Sequence, residues 1–418
     1  IKHNSSKNGS VFTVKDKGTL NLYDCTPERT HDNLPEELAG ITGGIITGGK
    51  GSDGGGMNVS TLYGVTFNMY GGTVAGNSAT GSGGGVYINS AVFNMYGGEI
   101  SRNRLESTST APYAGGGGVS IKDGINKAST FNMYGGKISN NNATASCGGG
   151  VHASGDLVAI NMERGIIEKN SAYAGGGVYL DEARLDLYGG EISGNTAQDN
   201  TTSGGEGGGI HVRMGSLSMH GGAVERNSAS WRGGGVYVNG GDLTLYDGKI
   251  CGNTAYGHTL QYTGLYSAGG GIYVRSSTVP VQILGGEISG NTAEHFGGGF
   301  SAYWSSGSAD ADQTVITVSG GPKIFGNSSG DDGLPDNVRL GATGNTPQYY
   351  QLIAVGDGGL SASASIGVTS SAATLPIPIT EATDEAYANC FAADDSSLYR
   401  VEYADGRLQI TQGGSHIH

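Results

Sequence analysis

One repeated unit occupies residues 54–330 of this chain, and it constrains the fold more than any other feature of the sequence. Each of its nine copies has a Gly triplet, a short apolar strand, a second strand that ends near a Gly pair, and an Ile or Val that precedes an Asn. Residues 83–103 and 175–195 are two of these copies. Internal repetition with a period of about 20–50 residues indicates a solenoid, a propeller or an array of modules.

The Asn that closes each copy gives the period of the repeat. These residues are Asn77, Asn103, Asn141, Asn170, Asn195, Asn227, Asn253, Asn291 and Asn327. Successive positions differ by 25 to 38 residues, and most of the variation lies before the Gly triplet or between the first two strands. A constant unit with variable insertions predicts a parallel β-helix with one coil per copy. Its Asn side chains should stack and hydrogen-bond as a ladder.

Alternating apolar residues identify the strands of each coil. Segments 86–88 and 236–238 are apolar at their first and third positions, and segment 67–70 has the same period of two. An Ile or Val after the Gly pair marks a third short strand. We predict an all-β fold, a right-handed single-stranded parallel β-helix with three strands per coil, about nine regular coils and capping ends. Gly at the corners supplies backbone angles that a Cβ disfavours.

The repeat also divides the chain into three parts. Residues 1–53 are predicted to form an N-terminal cap and a first irregular coil, and residues 54–330 the regular β-helix. Residues 331–418 should hold the last coils, with strands near 350–355 and 364–368, and a C-terminal cap. Asp405-Gly406 lies between two strand-like segments, which is a strong hairpin signal.

Charge and cysteine spacing narrow the possible partners and cross-links. The net charge of −14 argues against nucleic acid, and no apolar run is long enough to predict membrane insertion. In a solenoid whose coils rise about 4.8 Å, Cys147 and Cys251 would lie too far apart for a bridge. Cys25 and Cys390 lie near opposite ends of the chain. We therefore predict no disulfides and four free thiols, most of them buried.

The middle residue of each first strand should point outward and could form a ligand-binding groove. This column comprises Tyr87, Ser120, His152, Tyr179, His211, Tyr237, Tyr273 and Ser301. Cations follow it at Arg213 and Arg275. Further rings precede the Gly triplets or lie beyond the first strands, at Tyr113, Tyr173, Trp231, Tyr256, Tyr262, Tyr266, His295, Phe296 and Trp304. Aromatic faces pack against sugars, and a repeat of about 4.8 Å is close to the rise of many glycan chains.

Two interpretations of this column remain open. As a groove, its ligand-binding residues would be Tyr87, His152, Tyr179, His211, Arg213, Trp231, Tyr237, Tyr273 and Arg275. As a ladder, the same rings would only stabilise their neighbours in the sheet. A second column lies on the second strand. Few charges accompany it, which favours the ladder interpretation for this column. Its members are Tyr70, Tyr96, Tyr134, Tyr188 and Tyr246.

Catalytic and metal-binding patterns are weak. His211, Arg213 and Tyr237, with Arg232 nearby, could supply the base and cation of a polysaccharide lyase. Asp181 and Glu206 could form the carboxylate pair of a glycoside hydrolase. Segment 48–53 matches the first six positions of the calcium-binding nonapeptide, the sixth being Asp53, but no second copy follows. Cys and His residues show no zinc spacing, so no metal site is assigned.

Segments 189–197, 221–229 and 285–293 resemble the repeats of right-handed parallel β-helix proteins on bacterial surfaces. They are also similar to the repeats of chlamydial polymorphic membrane proteins, which are adhesins. This resemblance implies the pectate-lyase-like superfold and a secreted or cell-surface bacterial adhesin. The expected partner is a host or plant glycan or a surface protein, the expected state a monomer, and no family catalytic residue is carried over. The alternatives are a polysaccharide lyase or glycoside hydrolase in the same groove, and a structural stalk.

Overall fold

The computed structural model describes residues 8–15, 17–31, 34–61, 64–106, 114–198, 204–257, 268–276, 281–303, 312–342, 349–372 and 374–413. It is almost entirely β, and successive coils pair in parallel through one 32-stranded sheet and one 11-stranded sheet. The chain is therefore a right-handed parallel β-helix, as predicted. No helix among the described residues is long and apolar enough to cross a membrane.

The first strands of the coils pair in parallel along the solenoid. Their bounds are Phe12–Val14, Met57–Ser60, Val86–Asn89, Val119–Lys122, Val151–Ser154, Val178–Asp181, Ile210–Arg213, Val236–Asn239, Ile272–Ser276, Phe300–Ala302 and Val338–Leu340. Each coil continues into a second strand. The first five of these strands are Gly18–Leu22, Val65–Met69, Val92–Met95, Ser129–Met133 and Val158–Met162. Four more follow at Arg184–Leu187, Val281–Ile283, Gln313–Gly320 and Gln351–Leu360.

The third strands are shorter and lie beyond the Gly pair. Their bounds are Ile45–Ile46, Thr73–Ala75, Glu99–Ser101, Lys137–Ser139, Ile166–Glu168, Glu191–Ser193, Glu287–Ser289, Lys323–Phe325 and Ser365–Ser370. In two coils the second and third strands are continuous, as Ser216–Glu225 and Asp242–Cys251. The last strand added to this sheet is Phe391–Ala393, which pairs with Ser365–Ser370.

The structure adds a short fourth strand to most coils. The first is Lys50–Asp53, and the others directly follow the ladder Asn, at Ser78–Ser82, Arg104–Leu105, Asn142–Cys147, Ser171–Ala174, Thr196–Ala197, Ser228–Ala229, Thr254–Ala255, Thr292–Ala293 and Ser328–Ser329. Leu334–Pro335 pairs antiparallel with the last of them. Many are only two residues long, too short for an alternating pattern to reveal them.

The core is a set of side-chain columns along the solenoid axis. Phe67, Phe93 and Phe131 stack with ring centroids 4.7 and 4.8 Å apart. All three rings are fully buried, and aliphatic side chains of the other strands surround them in one continuous cluster. The inward residues of the first and second strands are those that the period of two identified.

The predicted Asn ladder is confirmed. The side-chain amide of Asn103 donates to Oδ1 of Asn141 at 3.0 Å and to the carbonyl of Val74 at 2.8 Å. Every ladder residue from Asn77 to Asn327 repeats the Asn-to-Asn bond, with N···O distances of 2.8–3.0 Å. The ladder continues to Asn337 and ends on the carboxylate of Asp394. This buried network satisfies backbone groups at the corner where the chain leaves the third strand.

The C-terminal hairpin is also confirmed. Strands Tyr399–Ala404 and Arg407–Gln412 pair antiparallel around Asp405-Gly406, and Ile377–Pro378 completes a three-stranded sheet. Leu408 and Ile410 of this sheet belong to the main core. The remaining elements are two 3₁₀ helices, Glu36–Leu38 and Glu385–Cys390.

All four cysteines are free, as predicted. Cys147 and Cys390 are buried, whereas Cys251 is half-buried and Cys25 is exposed. The expectation that most of the thiols are buried is therefore not met, because only two of the four are buried.

Candidate functional site

The structure brings the predicted first-strand residues together in one stack, called the first column here. Ring centroids are 5.5 Å apart for His152 and Tyr179, 4.7 Å for Tyr179 and His211, and 4.7 Å for His211 and Tyr237. Tyr237 and Tyr273 follow at 5.7 Å. Parallel register produces this stack, because His152, Tyr179, His211 and Tyr237 are directly paired in neighbouring strands.

The prediction that the first column lines an open groove is wrong for five of its residues. His152 and Tyr237 have no exposed surface, Tyr273 is 1% exposed, and Tyr179 and His211 are 4% exposed. The half-buried Tyr87, which accepts a hydrogen bond from Asn89 at 3.2 Å, is the column's most accessible ring. Whether any of these side chains binds a ligand stays a prediction.

The cover over the first column comes from the segment that leads into each Gly triplet. Gly115 lies so close to the ring of His152 that a Cβ there would come within 2.2 Å of it. Cys147 and Ala174, which end two fourth strands, pack against Tyr179. The column points away from the β-helix core, as expected, but this second layer of chain separates it from solvent.

Charged side chains border the covered column. Asp181 is buried and forms an ion pair with Arg213, and Ser154 Oγ donates to Asp181 Oδ2 at 3.4 Å. Glu206 is also buried, one coil further along the covering layer. Arg213, one of the predicted ligand-binding residues, is half-buried and is held in this ion pair.

Burial shifts the protonation equilibria of the column. It lowers the pKa of His211 to about 3, and the charges of Arg213 and Arg275 act in the same direction. It raises the pKa of Tyr179 and Tyr237, and it raises that of Tyr273 to about 12. The pKa of Cys147 rises to about 12 for the same reason. At neutral pH these five groups are therefore uncharged.

Three further predicted residues lie at the edge of the cover. Trp231 is half-buried, and the guanidinium of Arg232 lies 4.0 Å from its ring centroid and 5.0 Å from that of Tyr273. Arg275 is exposed. Among the other predicted rings, Tyr113, Tyr262, Tyr266 and Trp304 lie outside the described residues.

His211 and Tyr237, two of the three weak catalytic candidates, are adjacent but covered. Both ring nitrogens of His211 and the hydroxyl of Tyr237 are buried beside Glu206, whose backbone faces His211 and whose side chain faces Tyr237. A general base must reach the proton that it abstracts, and the covering layer separates both groups from any polymeric substrate.

A second aromatic stack, which we call the second column, lies on the surface. Tyr23, Tyr70, Tyr96 and Tyr134 have successive ring centroids 4.7, 4.8 and 5.0 Å apart, with nearly parallel planes. Three of these rings are exposed, from 41% for Tyr70 to 59% for Tyr23. After an interruption at Glu163, the stack resumes with Tyr188, His220 and Tyr246 at 4.8 and 4.6 Å. The predicted ladder interpretation of this column agrees with this stacking.

An outer Asn ladder runs beside the second column. Asn68, Asn94, Asn132 and Asn161 each donate to the Asn of the preceding coil at 2.8 Å, beginning at Asn21. The next outward column holds Thr19, Thr66, Val92, Thr130 and Ala159. Together with Tyr23 to Tyr134, those in the first four coils form an uncharged surface, called the second-strand face here. In the fifth coil, Ala159 and Asn161 continue the two columns beside Glu163. Charged side chains enter the same two columns in the following coil, at Arg184 and Asp186.

Sequence reasoning missed the second-strand face as a candidate site. Tyr70 and Tyr96 carried the repeat pattern, but the absence of neighbouring charges favoured a purely structural role for them. The usable signal was the Gly pair that follows Tyr70, Tyr96 and Tyr134, such as Gly97-Gly98, because glycines have no side chains to cover the ring.

No metal centre is evident in the described ranges, which contain no group of three or more His, Cys, Asp or Glu side chains arranged to hold an ion. Asp53, at the end of the partial calcium motif, lies near Lys122. Burial raises the pKa of the Asp53 carboxyl, and the charge of Lys122 opposes this shift. Calcium binding at Asp53 stays a prediction.

The comparisons with known proteins add no family. The chain matches none of the protein-family models, curated proteins or solved structures with which it was compared.

Proposed function

We propose that this β-helix is a binding module of the bacterial surface, secreted or cell-attached, whose ligand is a neutral glycan chain lying along the second-strand face. The observation that carries the proposal is the continuous and uncharged stack of Tyr23, Tyr70, Tyr96 and Tyr134, of which the first three rings are exposed. Contiguous exposed surface of this kind marks interaction sites in soluble proteins.

The chemistry of the face suits a hydroxyl-rich polymer. Stacking covers the faces of the inner Tyr rings, so each presents a ring edge and a phenol hydroxyl to solvent. Each Asn in the outer ladder uses one N–H for its neighbour and retains a second N–H. The donors and acceptors therefore recur with the coil spacing of about 4.8 Å, close to the rise per residue of many extended glycans.

The lack of charge on this face favours a neutral ligand over an acidic polysaccharide. Recognition of uronic acids or sulfates relies on Lys and Arg, which can pair with carboxylate or sulfate oxygens. The alternative of a polysaccharide lyase depended on His211 and Tyr237. Both side chains are buried, which removes the support that they gave to this alternative.

The test is affinity electrophoresis against neutral and acidic polysaccharides, with variants of the exposed stack. We expect a neutral glucan, mannan or xylan to retard the wild-type protein, and the double variant Tyr70→Ala/Tyr96→Ala to lose at least tenfold in affinity. The matched control is Tyr256→Ala/Tyr403→Ala, which removes two exposed tyrosines outside the face. Equal retardation of both double variants would reject the second-strand face, and retention only by acidic polysaccharides would reject the ligand class.

A further inference from the structure

A cleft at the C-terminal end of the solenoid is separate from both aromatic columns. It lies between the last coils and the three-stranded cap sheet and has a volume of about 760 Å³. This is within the range of about 300–1,000 Å³ that small-molecule sites occupy. No residue of the second-strand face lines it, so its role does not depend on the function proposed above.

One wall of the cleft is apolar. Val368 and Leu375 of the last coils line it together with Ile377 and Ile410 of the cap sheet, and Leu334 also lines it with 63% of its surface exposed. A ligand that enters would bury a hydrocarbon or ring against these side chains. Burial of apolar surface contributes about 25 cal/mol per Å² of favourable free energy, which favours the binding of an apolar body here.

The polar wall contains a buried carboxylate with unused hydrogen-bonding capacity. Asp336 is 2% exposed, and its Oδ2 accepts from the backbone N–H of Gly297 and from Ser329 Oγ, both at 2.7 Å. Arg339 Nη1 is 3.8 Å from the same oxygen. Oδ1 of Asp336 is buried and has no hydrogen-bond partner in the part of the chain that the structure describes. An unsatisfied buried acceptor is costly, so a donor that reaches it gains more than it would at an exposed carboxylate.

The charges that line the cleft favour a hydrogen-bond donor that is positively charged. Asp336, Asp394 and Asp395 all line it, and Arg339 is the one Lys or Arg among the lining residues that the structure describes. Arg339 is already held, since its guanidinium lies 4.7 Å from the ring centroid of Phe296 and beside Asp336. Carboxylates in a concave site with low-dielectric walls concentrate cations.

We infer that the C-terminal cleft binds a small organic cation, a primary ammonium carried on an apolar body, with the ammonium on Asp336 and the body against the wall of Leu375, Ile377 and Ile410. Asp394 is a supporting residue, because its oxygens accept from Asn337 and Thr369. Tyr399, which is 38% exposed at the cleft, can add a cation–π contact.

The test is isothermal titration calorimetry with three probes of equal chain length, hexylamine, hexanol and hexanoate. We expect saturable one-to-one binding of hexylamine, at least tenfold weaker binding of hexanol and no binding of hexanoate. Asp336→Asn should weaken hexylamine binding at least tenfold. Asp331→Asn is the matched control, because Asp331 is exposed nearby and does not line the cleft.

A second variant keeps the test decisive if Asp336→Asn does not fold. Ala372→Phe adds a ring at the apolar side of the cleft without altering a carboxylate, and it should also weaken hexylamine binding. Absence of saturable hexylamine binding to the wild-type protein would overturn the inference. So would equal affinity for hexanoate, or unchanged hexylamine affinity in both Ala372→Phe and a folded Asp336→Asn.

Discussion

The first and second columns lie on the first and second strands of one solenoid with similar spacing between rings, yet one is buried and the other is largely exposed. Tyr237 stacks on His211 at 4.7 Å and has no exposed surface, whereas Tyr70 stacks on Tyr96 at 4.8 Å and is 41% exposed. The difference arises from the segments that flank the first and second strands in the sequence. Segments entering the Gly triplets cover the first column, while the Gly pairs after Tyr70, Tyr96 and Tyr134 carry no side chains that could cover their rings.

This difference separates two uses of one sequence pattern. In the first column, a repeated ring fills the space between two layers of chain, and polar atoms such as Tyr237 Oη lie away from water beside Glu206 and Arg275. In the second column, the same repetition produces a regular surface whose hydroxyls remain in water. Repetition of an aromatic residue therefore indicates a stack, but the neighbouring segments decide whether the stack is accessible.

The largest expected effect is the loss of a first-column ring. Tyr237→Ala should lower the free energy of unfolding by about 3–5 kcal/mol, the range for truncating a large buried aromatic side chain. Tyr70→Ala should lower it by only about 1 kcal/mol, since it loses stacking on two neighbours but little burial. Chemical denaturation followed by circular dichroism measures both. Similar losses for the two variants would contradict the assignment of one column to the interior and the other to the surface.

Acid should destabilise the protein through the first column. The pKa of His211 is about 3 in the folded chain and about 6.5 when unfolded, so the unfolded state binds more protons between these values. The stability present above about pH 6.5 should therefore fall as the pH is lowered towards 3, by up to about 1.4 kcal/mol per pH unit.

Two substitutions isolate this contribution of His211. His211→Phe keeps a ring in the stack but removes the titrating group, so unfolding midpoints measured from pH 7 to pH 4 should depend less on pH. Tyr237→Phe is the control, because it changes the adjacent ring and leaves His211 in place; it should retain the wild-type slope. If the unfolding midpoint of His211→Phe depends on pH as strongly as that of the wild-type protein, protonation of His211 is not the cause of the acid destabilisation.

The sequence was sufficient to predict elements whose cause is local or periodic. The Asn ladder followed from one residue at one place in every copy, and each of Asn103, Asn141 and Asn195 bonds to its neighbour as expected. The hairpin at Asp405 followed from turn chemistry, since Asp405 and Gly406 both have positive φ. In both cases the residues that define the pattern also make the contact.

Accessibility could not be predicted in the same way. Tyr179 is covered by Cys147 and Ala174 from fourth strands whose sequences show no clear alternation, so nothing near Tyr179 in the sequence indicated a covering layer. The C-terminal cleft is a similar case. Asp336 and Ile410 are far apart in the sequence, and only the packing of the cap sheet against the last coils places both beside one cavity.

The two Asn ladders extend the comparison from rings to amides. Asn195 is buried, and its side chain bonds to Asn227 and to the carbonyl of Ile167, while its Oδ1 accepts from the backbone of Asn170. Asn195→Ala should lower the free energy of unfolding by about 1–3 kcal/mol, because it leaves buried groups unsatisfied. Asn94 is half-buried in the outer ladder, where water can replace its bonds.

Asn94→Ala should therefore change the free energy of unfolding by about 0.5 kcal/mol or less, as expected for a surface substitution. Denaturant titration of Asn94→Ala and Asn195→Ala under the same conditions compares the two ladders directly. A loss for Asn94→Ala as large as that for Asn195→Ala would mean that the second-strand face depends on its outer ladder for stability. The face would then be a structural feature as much as a binding surface.

The smallest expected effect on stability separates stacking from recognition in the second column. Tyr70→Phe keeps the ring between Tyr23 and Tyr96 and removes only an exposed hydroxyl, so the free energy of unfolding should change by less than about 0.5 kcal/mol. If the hydroxyl row contacts a neutral glycan as proposed, the same variant should still weaken retention severalfold, because the lost hydrogen bond contributes about 1 kcal/mol. Affinity electrophoresis measures the retention and a denaturation curve measures the stability, so the two experiments together test both parts of this prediction. Weaker retention with unchanged stability would place recognition at the hydroxyls, whereas full retention would restrict any role of the column to its ring edges.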